Sequence, residues 1–196
     1  MRKQESDSSG SVFLSGRKVY LRPMEKDDLP LLRKWTNDAE IRELIAEVSP
    51  TSSSGMEEYL EKIRRDSNRV WFVIVLREND RIIGECGLLR MFHPWRTTDL
   101  SIFIGDKKAW GKGYGTEALY LLLDYAFGSL NFHRVAFGVV GSNKQAIRFY
   151  EKAGFKREGV QRDGYYFDHA YQDFVMMSML EDEFRAKYSK TPKKRK

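Results

Sequence analysis

Apolar residues recur along the chain with two periods, and the places where the period changes divide it into elements. In GRKVYLRPM, residues 16–24, Val19 and Leu21 alternate with Lys18 and Arg22, a first strand that Pro23 ends. The spacing then lengthens. Leu29, Leu32 and Trp35 fall on one helical face after Asp27 or Asp28, and residues 38–48 read as a second short helix. Beyond the loop SPTSSSG, the stretch MEEYLEKIRRD follows Ser53 or Ser54 as a third helix.

From residue 70 the pattern becomes strand-like. VWFVIVLRE and RIIGECGLLRM flank Glu78-Asn79-Asp80 and predict a hairpin. TTDLSIFIG, residues 97–105, adds a strand with Leu100, Ile102 and Ile104 on one face and Asp99, Ser101 and Phe103 on the other. Helical spacing returns over 116–128, where Ala118, Leu119, Leu122, Leu123, Ala126 and Phe127 share a face. HRVAFGVVG, residues 133–141, reads as a strand. SNKQAIRFYEKAGF reads as a helix opened by a Ser142/Gln145 capping box and closed at Gly154. YYFDHAYQDFVMMSML, residues 165–180, supplies one or two last strands. The sum is a mixed α/β sheet in one domain without internal repeats.

Composition narrows the class. Hydrophobic residues make up 41% and aromatics 13% of the 196 residues, enough for a packed core. No run approaches the ~18–20 apolar residues of a membrane span, and the polar start MRKQESDSSGS has no signal-peptide apolar region. Cys86 is the only cysteine, so an internal disulfide and a cysteine metal cluster are excluded and a reducing cytoplasm is expected. The net charge of +6 is uneven: RAKYSKTPKKRK at the end carries seven positive charges and no acid, while residues 16–184 are slightly acidic. A nucleic-acid-binding fold would carry its basic patch on the body, so no specific nucleic-acid partner is expected. The expected organisation is a flexible segment 1–15, a domain 16–184 and a basic tail 185–196.

The stretch KKAWGKGYGTEALYLLLDYAF, residues 107–127, sets glycines at 111, 113 and 115 just before a helix. It is neither a P-loop, since five residues separate Gly105 from Gly111, nor a dinucleotide fingerprint, since Thr116 stands where the third glycine belongs. The physics of those motifs still applies. Bare glycines let an anion approach the backbone, and a helix start offers unpaired N–H groups and a partial positive charge. A tight turn without ligand is the alternative reading.

Lys108-Ala109-Trp110-Gly111-Lys112-Gly113 resembles the acetyl-coenzyme A signature of the GNAT family of N-acetyltransferases, and WGKGYGTEAL is similar to its branch of ribosomal-protein N-terminal and polyamine acetyltransferases. Asn143, Ala146, Phe149-Tyr150 and Gly154-Phe155 resemble that family's second segment, and VYLRPMEKDDLPLLRKW its opening. Lys108 departs from the usual Gln or Arg. The resemblance covers about residues 16–180 and implies a single-domain GNAT fold: a mixed, mostly antiparallel central sheet flanked by helices and splayed at the central strands.

The resemblance also implies site roles. Acetyl-CoA would lie along strand 100–105, beside Ile102, Phe103 and Ile104, with its diphosphate on the N–H groups from Gly111 to Thr116, a run that includes Lys112, Gly113, Tyr114 and Gly115. Lys108, Asn143, Phe149 and Tyr150 complete the cofactor contacts. Tyr150 would protonate coenzyme A, the Phe103 N–H would hold the oxyanion, and Asp99 would accept the amine's proton, directly or through water. Each has a plainer reading: Tyr150 as core, Asp99 as surface, Asn143 as a helix cap.

His93, His133 and His169 show no metal-ligand pairing, and no metal is expected. Cys86, inside a strand, reads as core. Trp35, Trp95, Tyr165, Tyr166 and Phe167 sit at acceptor-groove positions of the family or in the core. The resemblance implies a primary amine as acceptor: a peptide or ribosomal-protein N-terminus first, a polyamine or amino sugar as alternatives. A non-catalytic CoA-binding regulatory module is the competing class. A homodimer is common in relatives.

Overall fold

A computed structural model describes residues 11–188. Of the segments 1–15 and 185–196 read above as tails, residues 1–10 and 189–196 lie outside the described residues, whereas Leu14 and Ser15 pair with Leu21 and Tyr20 as a strand and residues 185–188 are helical. The elements are β1 (Leu14–Ser15), β2 (Val19–Pro23), α1 (Leu29–Thr36), α2 (Ala39–Ile45), α3 (Ser53–Arg65), β3 (Val70–Leu76), β4 (Ile82–Phe92), β5 (Thr97–Ile104), α4 (Tyr114–Asp124), β6 (Arg134–Val140), α5 (Lys144–Ala153), β7 (Lys156–Phe167), β8 (Ala170–Leu180) and α6 (Glu181–Tyr188).

The strands form one sheet in the order β1-β2-β3-β4-β5-β6-β8-β7. Neighbours are antiparallel except β5 and β6, which run parallel. That parallel pair is short. Thr97, Thr98 and Asp99 match Arg134, Val135 and Ala136, and then the strands part. Each is still held on its other side, β5 by β4 and β6 by β8 along its whole length. A wedge therefore opens between Leu100–Ile104 and Phe137–Val140, the splay that the resemblance implies.

The alternation along β3 sorts side chains to two cores. Phe72, Ile74 and Leu76 join Leu119, Leu122, Phe127 and Ile147 beneath α4 and α5. Val73 and Val75 face Leu32, Trp35, Ile41, Met56 and Leu60 of the first three helices. Trp35 belongs to this second core, and a Cβ at Gly105 would fall 2.1 Å from its ring. At the start of α1 the guanidinium of Arg22 grips the Asp28 carboxylate with two bonds of 2.8 Å, both groups buried.

Several boundaries differ from the pattern-based expectation, each for a local reason. The helix after the glycines starts at Tyr114 and ends at Asp124, where a π turn over Tyr125–Ser129 follows, closed by the Leu130 N–H on the Tyr125 carbonyl at 3.0 Å. The cap of α5 is Asn143, whose Oδ1 accepts from the Ala146 N–H at 2.9 Å, so Ser142 and Gln145 form no capping box. Gly154 does close α5, at φ 104°. β7 begins at Lys156 instead of near 165. It is an edge strand whose residues 156–163 are all exposed, so no apolar alternation marks it. α6 runs through the 184/185 junction. Phe184 is buried, and the Tyr188 hydroxyl donates to the Ala153 carbonyl at 2.8 Å.

Candidate active site

The wedge is the mouth of a cavity of about 540 Å³. One wall is Leu100–Ile104 of β5, the other Phe137–Val140 of β6, with Ala146, Phe149 and Tyr150 of α5 behind. Gly111 and Gly113–Thr116 form one end. The volume falls within the ~300–1,000 Å³ of ordinary small-molecule sites.

The glycine turn has the geometry an anion needs. Gly111 and Gly113 take φ of +73° and +82°, a left-handed backbone open to glycine at little cost. Gly113 caps α4, and the first bond within the helix runs from the Glu117 N–H to the Gly113 carbonyl at 3.2 Å. The N–H groups of Tyr114, Gly115 and Thr116 therefore precede the helical ladder, at the cavity end where the helix dipole is positive. At Gly115 an added Cβ would project to within 3.6 Å of Ile104 Cγ1 and 4.0 Å of Phe149 Cζ, so the missing side chain keeps cavity space open. The turn is braced from beneath. Trp110 Nε1 donates to the Ile104 carbonyl at 2.7 Å, and the Glu117 carboxylate accepts from the backbone N–H groups of Arg17 and Lys18. Lys18 Nζ reaches the Lys112 carbonyl at 3.3 Å. These residues fit a ligand with a diphosphate and a slender arm.

Helix α2 crosses the cavity and lines it with Ile41, Leu44 and Ile45. Both ends are tied. Lys107, just after β5, pairs with Asp38 at 2.8 Å and Glu40 at 2.7 Å. Asn143, on the far bank, donates to the Leu44 carbonyl at 3.4 Å. The pattern of 38–48 marked a helix but gave no sign that it would cover the cleft.

The remaining candidates separate into two groups. Ile102, Phe103, Ile104, Asn143, Phe149 and Tyr150 all line the cavity. Tyr150 is 8% exposed, its ring centroid 4.3 Å from Phe137, 5.0 Å from Phe149 and 5.7 Å from Phe155. Burial pushes its phenol well above the ordinary tyrosine value, so the proton stays on oxygen. Lys108, Lys112 and Asp99 do not line the cavity. Lys108 and Lys112 are exposed, and Asp99 is ion-paired with Arg90. Trp95 is exposed.

Sequence reading passed over Glu85. It stands in the run RIIGECGLLRM and is buried beside Tyr59 and Trp71. A lone acid inside an otherwise apolar strand was the signal available.

Residues 18–156 match the family described as Acetyltransferase (GNAT) domain. The chain is 29% identical over 178 residues to a probable N-acetyltransferase, YjcK, of Bacillus subtilis, a match covering 86% of this chain and 97% of that one. It is 27% identical over 166 residues to the spermidine N(1)-acetyltransferase of Vibrio cholerae, covering 85% and 95%. Among solved structures, spermidine N-acetyltransferase from Vibrio cholerae in complex with CoA and spermine superposes with a TM-score of 0.80 at 27% identity, covering 85% of this chain and 98% of that one. The family match takes in the wedge, the glycine turn and α5 together, and the chain belongs to the GNAT family of acetyltransferases.

Proposed function

We propose that this acetyltransferase moves the acetyl group of acetyl-CoA onto a primary amine of a polyamine. The observation that carries the reading is the wedge between β5 and β6, closed at one end by the free N–H groups of α4 and walled by the Tyr150 phenol. The polyamine is favoured over a peptide N-terminus or an amino sugar because spermidine acetyltransferases stand among the relatives, one of them solved with CoA and spermine.

Acetyl-CoA brings an acetyl group already activated as a thioester. The chain's own groups do the rest. The N–H groups of Tyr114, Gly115 and Thr116 hold the diphosphate, and Gly111 and Gly113 let it come close. Ile102, Phe103 and Ile104 form one bank for the pantetheine arm; Phe149 and Asn143 stand on the other. The Phe103 N–H donates to the oxygen that gains charge as the amine attacks. The Tyr150 hydroxyl, kept protonated by burial until the thiolate forms beside it, gives its proton to the departing sulfur and afterwards regains one from solvent.

The test is mass spectrometry of products after incubation with acetyl-CoA and spermidine, a peptide and glucosamine. Acetylated spermidine is expected. Acetylated peptide or sugar instead would move the acceptor, and CoA uptake by calorimetry without any product would make the chain a binding module.

A further inference from the structure

The transfer needs a group to take the amine's proton. Asp99, at the family-like position, is engaged by Arg90. Two acids are buried among the described residues, Asp28 and Glu85. Asp28 is neutralised by Arg22. Glu85 has no ion pair, and its Oε2 is shut from solvent without a hydrogen-bond partner. A buried carboxylate is costly to leave bare, so its presence asks for a reason beyond packing.

Its register in the sheet sets Glu85 beside two residues of the cavity wall, although Glu85 is not itself among the lining residues. Glu85 is the cross-strand partner of Phe103, and the next pair on the same face is Gly87 with Ser101. Phe103 and Ser101 both line the cavity. Diagonal neighbours of this kind stand about 7–8 Å apart, a gap that a glutamate side chain and one water can span. On the other sides Glu85 meets Tyr59 of α3 and Trp71 of β3, with Val73 opposite it in β3 and Cys86 next in β4. Arg69 leans over the Trp71 ring at 5.5 Å and pairs with Asp66 at 3.6 Å. Neither the Trp71 N–H nor the Tyr59 hydroxyl completes a bond to Oε2.

We propose that Glu85 is the terminal proton acceptor of acetyl transfer, acting through the Ser101 hydroxyl and a bridging water from behind β5. As the amine nitrogen bonds to the acetyl carbon, its N–H bond breaks and the proton passes to the Ser101 oxygen. Ser101 gives its own proton by way of the water to Glu85, which becomes a carboxylic acid and later returns the proton to solvent. Burial raises the Glu85 carboxyl to about 7, against the smaller opposing pull of Trp71 and Tyr59, so it can both take and release a proton near neutrality. Glu85 is thus a positioning and proton-accepting residue that never touches the acceptor.

The inference rests on the amine-acetylation reading, and the experiment separates the two. The rate of spermidine acetylation, as kcat/KM from pH 5.5 to 9, is measured for the full chain and for Glu85→Gln, Glu85→Asp and Ser101→Ala. The native enzyme is expected to climb up to tenfold per pH unit below about 7. Glu85→Gln should lose that limb and ~10²-fold or more of the plateau, with CoA affinity from calorimetry within twofold. Glu85→Asp should restore the limb at an intermediate rate. A Glu85→Gln enzyme that keeps rate and limb within twofold overturns the inference and leaves the acetylation reading standing. Should Glu85→Gln fail to fold, Ser101→Ala decides by the same criterion. If the native chain acetylates no amine, both fall together.

Discussion

Asn143 and Leu44 stand 99 residues apart and meet over the cleft, the Asn143 amide donating to the Leu44 carbonyl at 3.4 Å. The same side chain caps α5 through its oxygen. One residue thus fixes the start of a helix on one bank and the end of a helix thrown across from the other. Asn143→Ala should lose about 1 kcal/mol of stability with the cap, read as a lower melting temperature. Asn143→Asp keeps the cap acceptor and loses only the donor. It should melt close to the native chain while proteolysis within residues 38–52 speeds up.

Tyr150→Phe removes one hydroxyl from an aromatic cluster and leaves the packing in place. Turnover should fall by ~10²–10⁴-fold, with the Kd for CoA unchanged within a factor of two. Stopped-assay rates beside calorimetry on the same protein check this, and full activity would remove the acid role from Tyr150.

Two glycines of one turn should fail differently. Gly113 is left-handed, so Gly113→Ala should cost about 1–2 kcal/mol of stability and weaken CoA binding as well. Gly115 lies within α4, and its new methyl would point at Ile104 and Phe149. Gly115→Ala should keep or slightly gain stability yet bind CoA more weakly. Melting curves and calorimetry on the pair separate backbone strain from lost space.

Glu85 also sets a slope of stability with pH. Its folded carboxyl sits near 7, above its unfolded value, so the folded state holds the extra proton between them. Stability therefore declines as pH rises from about 4.5 to 7 and is level above. Glu85→Gln should match the native chain near pH 4 and exceed it at pH 8 by an amount on the order of 3 kcal/mol at most, a difference that denaturant titration at the two pH values would reveal.

Glu158 slopes the other way. The Arg134 guanidinium, helped by the Ser178 hydroxyl, holds its carboxyl down at about 2. This stabilisation is present above the unfolded carboxylate value and is lost as pH falls toward 2. The pair is partly open to solvent, so its share should be below about 1 kcal/mol. Glu158→Gln should flatten the acid end of the melting-temperature profile and leave neutral stability nearly unchanged.

What was legible in the sequence followed from period and punctuation. Leu29, Leu32 and Trp35 announced α1, alternation announced β2 and β5, apolar runs about a turn announced β3 and β4, and Gly154 marked the end of α5, because each has a local physical cause. The glycine turn was legible for the same reason, since left-handed backbone at 111 and 113 leaves a mark in residue type. Relations across the fold left none. Nothing near Asn143 signals Leu44, and nothing near Lys107 signals Asp38 and Glu40. Edge strand β7, exposed from 156 to 163, lacks the burial that writes a pattern into a strand. Glu85 is the instructive miss: its residue type was visible, but its pairing with Phe103 of the cavity wall was not.

Within the sheet, β1 to β5 and β6 to β8 are stitched together at three residue pairs, Thr97 to Asp99 against Arg134 to Ala136. The two leaves open like a book along that short spine. A molecule lying between them grips both pages at once and adds a second binding edge the chain does not supply. Occupancy should therefore slow amide exchange along both leaves together, not merely at the residues it touches, and turn the sheet into a single mechanical unit.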